Sequence, residues 1–385
     1  MENTEQNEIL SHPATFYKLR RLKIANYLRK NNIGAAVFID SEEHREPAIR
    51  YFTGHTSDAV LVITEENDAV LVPWDEILAS KIAYSDTVIP YAKFKNSDIE
   101  AVKAILKDAK EVPNFKVELP PYISYPKFLE FIEALPKWDV LCKKDGVHNY
   151  ALQLRMIKDD YEIACTKKAC KIGDLIIDKI EENIKNGSIK TETDVALLIE
   201  KELRVHGCER TGFDTLAAGP SRSWAIHAFP GYTNGEWPGK GLSILDFGVV
   251  WNGYTSDTTL TIIKGEISKE QEKLVSLVQK AADECLKLYK KGTPVKDACA
   301  LAEKIFAKEK RKMPHTLGHG IGIEIHESPR VSTKAEPEVT FESGMIVTLE
   351  PGLYDEKLGG VRLENDVLIT DEGNEVISHS RIIRI

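Results

Sequence analysis

A chain of 385 residues is longer than one hydrophobic core usually grows, so two domains are expected. Its net charge of −9 argues against broad binding to nucleic acid or to an acidic membrane, and no apolar run reaches the length of a bilayer span. The polar start MENTEQNEILSHP does not read as a secretory signal, and the six cysteines lack paired metal spacing, so reduced thiols and a cytoplasmic location are expected.

The first part of the chain reads as alternating helices and strands. A helix carrying Leu19, Leu22, Ala25 and Leu28 on one face leads into GAAVFI, a buried strand. DAVLVITEENDAVLVP gives two short strands joined by a polar turn at Glu65 to Asp68. EAVKAILKDA is helical and FKVEL is a strand, which together predict a three-layer α/β domain. The charged stretch SEEHREP reads as solvated surface, and this part holds no chemical motif.

A domain boundary is expected near Gly146 to Tyr150, giving domains of residues 1–148 and 149–385. RMIKDDYEIACTKKACKIGDLIIDKI reads as one long helix, and TETDVALLIEKELRVHG as a second that opens on a capping pattern and closes on Gly207. Strand segments follow. The order then repeats: a long helix running to Gly292, a shorter one with Pro294 near its start, and further strands. Two half-domains of like plan predict pseudo-twofold symmetry, with a site at their interface.

The strand segments carry acids where acids are costly. Asp246 ends the apolar run LSILDFG, Asp257 follows in NGYTSDTTLTI, Glu350 ends MIVTLEPG, and Glu364 lies within GGVRLENDVLIT. A buried carboxylate needs a cation or hydrogen-bond donors. Taken alone, Glu364 beside Arg362 reads equally as a salt bridge, and Asp246 as a turn residue before Gly248. Strand alternation places Arg362, Glu364 and Asp366 on one face. Between the acid pairs lies PHTLGHGIGIEIHE, with His315, His319 and His326. His319 stands between two glycines, where backbone can approach closely. Four carboxylates and one neutral imidazole would balance two divalent cations, and such a pair about 3.5–4 Å apart activates water for hydrolysis. Oxygen-rich ligation with one imidazole suits hard or borderline divalent metals and leaves Mn²⁺, Co²⁺, Fe²⁺ and Zn²⁺ all open, with Mn²⁺ the first expectation.

At these residues the chain resembles the pita-bread metallopeptidases, the superfamily of methionine aminopeptidases, aminopeptidases P and prolidases. The resemblance runs from about Arg155 to the C-terminus. Its motifs stand here as Asp246-Phe247-Gly248, Gly253-Tyr254-Thr255-Ser256-Asp257, His315 to Gly322 continuing to His326-Glu327, Glu350-Pro351-Gly352, and Arg362-Leu363-Glu364. The fold implied is mixed α/β (α+β): an N-terminal creatinase-like α/β domain, then a pita-bread catalytic domain. The resemblance implies that Asp246, Asp257, His319, Glu350 and Glu364 ligate two metals, with Glu350 also assisting proton transfer. It implies that His227 and His326 contact the substrate, and that His315 and Arg362 support the site.

The N-terminal domain, with IRYFTGH, and the motif HESPRVS point toward prolidase rather than methionine aminopeptidase. In that group the arginine matching Arg330 can hold the carboxylate of a dipeptide substrate. Two departures stand out. The residues after Asp257 read Thr259-Leu260-Thr261 where the family often has Thr-Arg-Thr, and AGPSRSWAIHAFPG before and around His227 differs from the usual segment. The expected function is therefore metal-dependent hydrolysis of Xaa-Pro bonds in dipeptides or short peptides. The alternatives are an aminopeptidase P acting on longer peptides, a creatinase-like hydrolase or lyase, and a binding module without catalysis. A peptide substrate and a homodimer are expected, with no nucleic acid or membrane partner.

Overall fold

Successive side chains of the strand β1 (Ala35–Asp40) point to opposite sides, and both sides meet apolar helices. Ala35 and Val37 join a cluster with Ala101, Val102 and Leu106 of the helix Asp98–Asp108 and with Phe131 of the helix Tyr125–Ala134. Phe38 faces the other way and meets Phe52 of the helix Pro47–Thr53, ring centroids 5.4 Å apart. This is the expected three-layer arrangement. β1 pairs antiparallel with β2 (Ala59–Thr64), which pairs antiparallel with β3 (Ala69–Pro73) across the expected turn. It pairs in parallel with β5 (Lys116–Leu119) on its other edge. With β4 (Thr87–Val88) and β6 (Asp139–Cys142), the sheet order is β4-β3-β2-β1-β5-β6. Within SEEHREP, Glu46 is half-buried because its carboxylate caps the helix Pro47–Thr53 by accepting from Ala48 N–H at 2.9 Å.

This computed structural model describes residues 8–108 and 115–385. The chain divides into two units, Met1–Arg155 and Met156–Ile385. No helix among the described residues is long and apolar enough to cross a membrane.

The stretch expected as one long helix is two. Val147–Met156 ends before Asp159, and Asp160–Lys185 begins anew. Asp159 causes the break: its extended backbone and side chain form a capping box with Glu162, which starts a helix rather than continuing one. The helix expected to run to Gly292 stops at Leu286. Asn374 Nδ2 donates to the carbonyls of Leu286 and Tyr289 at 3.0 and 2.8 Å, which satisfies groups that a further helical turn would otherwise use.

In the second unit the helix pair Asp160–Lys185 and Glu192–Val205 precedes β7 (Arg210–Thr211), β8 (Leu216–Ala218), β9 (Gly241–Phe247), β10 (Val249–Trp251), β11 (Tyr254–Thr255) and β12 (Thr258–Lys264). The pair Lys269–Leu286 and Val295–Ala307 precedes β13 (Gly318–Gly320), β14 (Glu327–Val331), β15 (Ile346–Leu349), β16 (Gly352–Asp355), β17 (Gly359–Arg362), β18 (Asn365–Ile369), β19 (Asn374–Val376) and β20 (Ile382–Arg384). The helix–helix–strands order thus repeats. β9 and β12 lie side by side in one sheet of order β20-β12-β9-β8, and the other main sheet runs β14-β13-β15-β18-β19. Each half has its own apolar core. Ile176, Ile177, Ile199, Leu245 and Leu260 lie in the first, and Val278, Ala302, Phe306, Val347 and Val361 in the second.

Candidate metal centre

The two halves meet at their acids. Asp246, near the end of β9, lies opposite Thr259 on β12, and Asp257 immediately precedes β12. Thr259 in turn forms an isolated bridge with Glu364, whose N–H donates to its carbonyl at 3.2 Å. Glu350 follows β15, and its N–H donates to Leu317 at 2.9 Å, close to His319 on β13.

The backbone around His319 requires glycine. A Cβ on Gly318 would run into the Thr348 carbonyl, and one on Gly320 into the Ser328 carbonyl. His319 Nδ1 lies 3.1 Å from the Gly320 carbonyl, which can only accept, so Nδ1 carries the proton and Nε2 is left unprotonated. Nε2 sits 3.6 Å from Asp257 and 3.7 Å from Glu350. Burial lowers the His319 pKa to about 4, so the imidazole is neutral at physiological pH, as a ligand must be.

Asp257, His319 and Glu364, all buried, each offer a ligand atom within 4.8 Å of the others. Asp246 and Glu350 line the same cavity but stand outside this close triad. Asp246 is drawn aside by Arg362, whose Nη2 lies 2.6 Å from Oδ2. Its Oδ1 is buried with no hydrogen-bond partner among the described residues. Burial, then the nearby carboxylates led by Glu364, push Asp257 well above the usual carboxylate range. Glu364 rises for the same reasons, with Glu350 its first neighbour, and burial raises Glu350 to about 8. The acids are thus too crowded to ionise together without added positive charge. An orphaned carboxylate oxygen beside three converging donors, one of them a neutral imidazole, fits divalent cations.

Arg362 ties the cluster together. Nε donates to Thr259 Oγ1 at 2.9 Å, and Nη1 donates to Tyr354 Oη at 2.7 Å and to the Ile226 carbonyl at 3.1 Å. Thr259 Oγ1 passes its own proton toward Glu364 Oε2 at 2.6 Å. Tyr354 lies 3.0 Å from His315 Nε2, whose Nδ1 faces the Thr316 carbonyl at 2.8 Å. His315 therefore accepts from Tyr354 and stays neutral, its pKa lowered by burial to about 4. It lies beside the acids in a supporting position.

All ten sequence-expected residues line one cavity of about 540 Å³: His227, Asp246, Asp257, His315, His319, His326, Arg330, Glu350, Arg362 and Glu364. His326 packs its ring on His319, centroids 4.4 Å apart. Desolvation at the cavity mouth, then Arg330 and His227, hold its pKa below the usual histidine value. Apolar side chains of Phe213, Leu216, Ile226, Phe229 and Ile325 complete the wall.

One expectation is corrected. Asp366 does not share the cavity face with Arg362 and Glu364. The strand breaks at Leu363–Glu364, because β17 pairs with β16 while β18 pairs with β15. Past the break, Asp366 turns behind the site, where Oδ2 accepts from Asp257 N–H at 2.9 Å and from Cys170 Sγ at 3.2 Å. Sequence reasoning also missed Thr259 and Tyr354 as site residues. Thr259 stands two positions after Asp257, on the same strand face, which was the available signal.

The chain matches the profile of metallopeptidase family M24 over residues 164–371. It is 32% identical to the Xaa-Pro dipeptidase of Pyrococcus horikoshii over 359 residues, 92% of this chain and 95% of that protein. Two solved structures superpose over nearly the whole chain. The Xaa-Pro dipeptidase from Bacillus anthracis gives a TM-score of 0.82 at 26% identity, covering 96% of this chain and 100% of that one. The X-Pro aminopeptidase from Thermotoga maritima gives 0.81 at 26% identity, covering 94% and 100%.

Proposed function

The chain belongs to metallopeptidase family M24, and we propose that it hydrolyses the Xaa-Pro bond of dipeptides with two divalent cations held by Asp246, Asp257, His319, Glu350 and Glu364. The observation that carries this reading is the single cavity in which all five expected ligands meet His227, His326 and Arg330. The bond itself is one that ordinary peptidases handle poorly, since proline fixes φ and offers no N–H.

Divalent cations in this site supply an activated water and positive charge to offset the developing oxyanion. The chain's own residues do the rest. Glu350 takes a proton from the attacking water and delivers it toward the leaving proline nitrogen. His326 and His227 donate hydrogen bonds to the substrate carbonyl as it becomes tetrahedral. Arg330 receives the carboxylate of the dipeptide, and the apolar wall excludes water from the acids. The oxygen-rich ligand set with one imidazole favours Mn²⁺, with Co²⁺, Zn²⁺ and Fe²⁺ able to substitute.

The second reading is an aminopeptidase acting on longer Xaa-Pro peptides, favoured by the equal likeness to the Thermotoga maritima enzyme. A creatinase-like hydrolase, a lyase and a non-catalytic module rank lower, because the chain keeps every acid and the histidine that a metal site of this kind uses. A panel of Xaa-Pro dipeptides and Xaa-Pro-Yaa tripeptides, assayed with and without Mn²⁺, Co²⁺ or Zn²⁺, tests the proposal. Metal-dependent cleavage confined to dipeptides supports it, equal cleavage of tripeptides favours the aminopeptidase, and no cleavage with any metal rejects both. The reading places the enzyme in the cytoplasm, in keeping with six free cysteines. It also gives a homodimer, the commonest closed assembly, and sedimentation showing only monomer at micromolar concentration would reject that part.

A further inference from the structure

The segment from Gly219 to Gly235 supplies Ile226, His227, Ala228, Phe229 and Gly231 to the cavity wall, yet it consists of turns and bends. Apolar burial does not fix its outer part, since Phe229 is 95% exposed and Trp224 43%. One buried acid does. Glu192 opens the helix Glu192–Val205 and is 1% exposed. Its Oε1 accepts from Gly219 N–H at 2.8 Å, where the segment begins. Its Oε2 accepts from the N–H and hydroxyl of Thr233 at 2.7 and 2.6 Å, where the segment ends. The same Oε2 receives the Arg222 guanidinium, which also donates to the Pro230 carbonyl.

The inner side is pinned separately. Ser223 Oγ donates to the Leu242 carbonyl at 2.8 Å and accepts from Gly360 N–H at 3.1 Å, and Arg362 reaches the Ile226 carbonyl. The outer clamp is the side-chain contact that joins the two ends of the segment, beside the backbone bonds from Thr193 N–H to Thr233, Glu192 N–H to Gly235 and Ala217 N–H to Gly231. A buried carboxylate is tolerated because each oxygen is satisfied, partly by a charge-assisted bond. Losing Arg222 leaves that acid short of positive charge and frees the Pro230 end of the segment at once.

We infer that Glu192 and Arg222 are positioning residues that hold the outer part of this segment, Ala228 to Thr233, as a preformed wall of the substrate cleft and so set substrate affinity, while Ser223 and Arg362 keep the stretch around His227 in place for the chemical step. The inference rests on the Xaa-Pro reading above for its substrate, while the clamp itself is independent of it. Neither residue lines the cavity. A preformed wall lowers the ordering cost of binding, so its loss falls on KM.

Hydrogen exchange of the metal-loaded enzyme without substrate, followed by mass spectrometry, reads the clamp directly in Arg222→Ala, Glu192→Gln and Arg222→Lys. Arg222→Ala and Glu192→Gln are expected to speed exchange at Gly219 and across 228–235, and to leave 223–227 and 241–264 unchanged. KM for Leu-Pro is expected to rise about tenfold, with kcat and metal affinity within about twofold of wild type. Arg222→Lys keeps the charge and is expected to recover most of both readouts. Unchanged exchange together with unchanged KM overturns the inference. So does a parallel fall of kcat and metal affinity, which would make the pair merely structural. If wild type cleaves no Xaa-Pro peptide, the activity reading fails, and the exchange result still decides the clamp.

Discussion

The hydroxyl of Thr259 donates to Glu364 Oε2 at 2.6 Å. Thr259 Oγ1 itself accepts from Arg362 Nε, and Arg362 holds Asp246, so one hydroxyl links two acids from different halves of the domain. The neighbouring Leu260 faces away and packs in the first core. The unusual leucine therefore leaves this linkage intact. Thr259→Val keeps the shape and removes both bonds. Such partners of ligands typically contribute about 10–100-fold to metal affinity. A loss of that size in competition with a chelating dye, with the fold preserved by circular dichroism, is expected; unchanged affinity would show that Thr259 is not needed to orient Glu364.

His326 stands at the cavity against His319 and is exposed, so its removal should cost little stability. His326→Ala is expected to lower kcat by about 10²–10⁴ while the thermal midpoint barely moves. Steady-state kinetics beside a melting curve checks this, and wild-type turnover would leave the residue without a catalytic part.

Arg330 is exposed at the cavity wall and available to a substrate carboxylate. Arg330→Ala is expected to raise KM for Leu-Pro by the equivalent of about 1.5–3 kcal/mol, the range for a hydrogen bond to a charged group. A tripeptide, whose carboxylate lies farther along, should be little affected. Equal losses on both substrates would count against a dipeptide-specific role.

In the first unit, His148 is buried against Phe38, with Nε2 3.0 Å from the Val37 carbonyl. Burial lowers its pKa to about 4 from the usual 6.5. The folded state thus favours the neutral ring. That stabilisation is fully present above pH 6.5 and is lost as pH falls through about 4, amounting to about 3 kcal/mol at most. Denaturant unfolding of His148→Phe between pH 7 and 4 is expected to show a shallower acid decline than wild type. Parallel declines would contradict the assignment.

The site was legible in the sequence because its residues are chemically anomalous where they stand. Asp246, Asp257, Glu350 and Glu364 interrupt apolar strands, and glycines bracket His319. Layering of the first domain was legible too, since β1 carries a continuous apolar run that needs cover on both faces. What stayed hidden was set by contacts far apart in the chain. The break at Leu363–Glu364 depends on which strand each side pairs with, so Asp366 was placed on the wrong face. The early stop at Leu286 depends on Asn374, eighty-eight positions on. The single long helix expected through Asp159 is divided there by its capping box with Glu162. The role of Glu192 is not legible in the sequence, because Gly219, Arg222 and Thr233 come to it only in the fold.

The central claim, that this acid cluster hydrolyses Xaa-Pro bonds through bound divalent metal, is tested most directly by kcat/KM for Leu-Pro on one preparation. The enzyme is assayed after stripping with chelator, then again after reconstitution with Mn²⁺ and a metal count per chain. The account predicts no measurable hydrolysis in the stripped protein and recovery that saturates at two metals per chain. Hydrolysis that persists in chelator with no metal bound would contradict it.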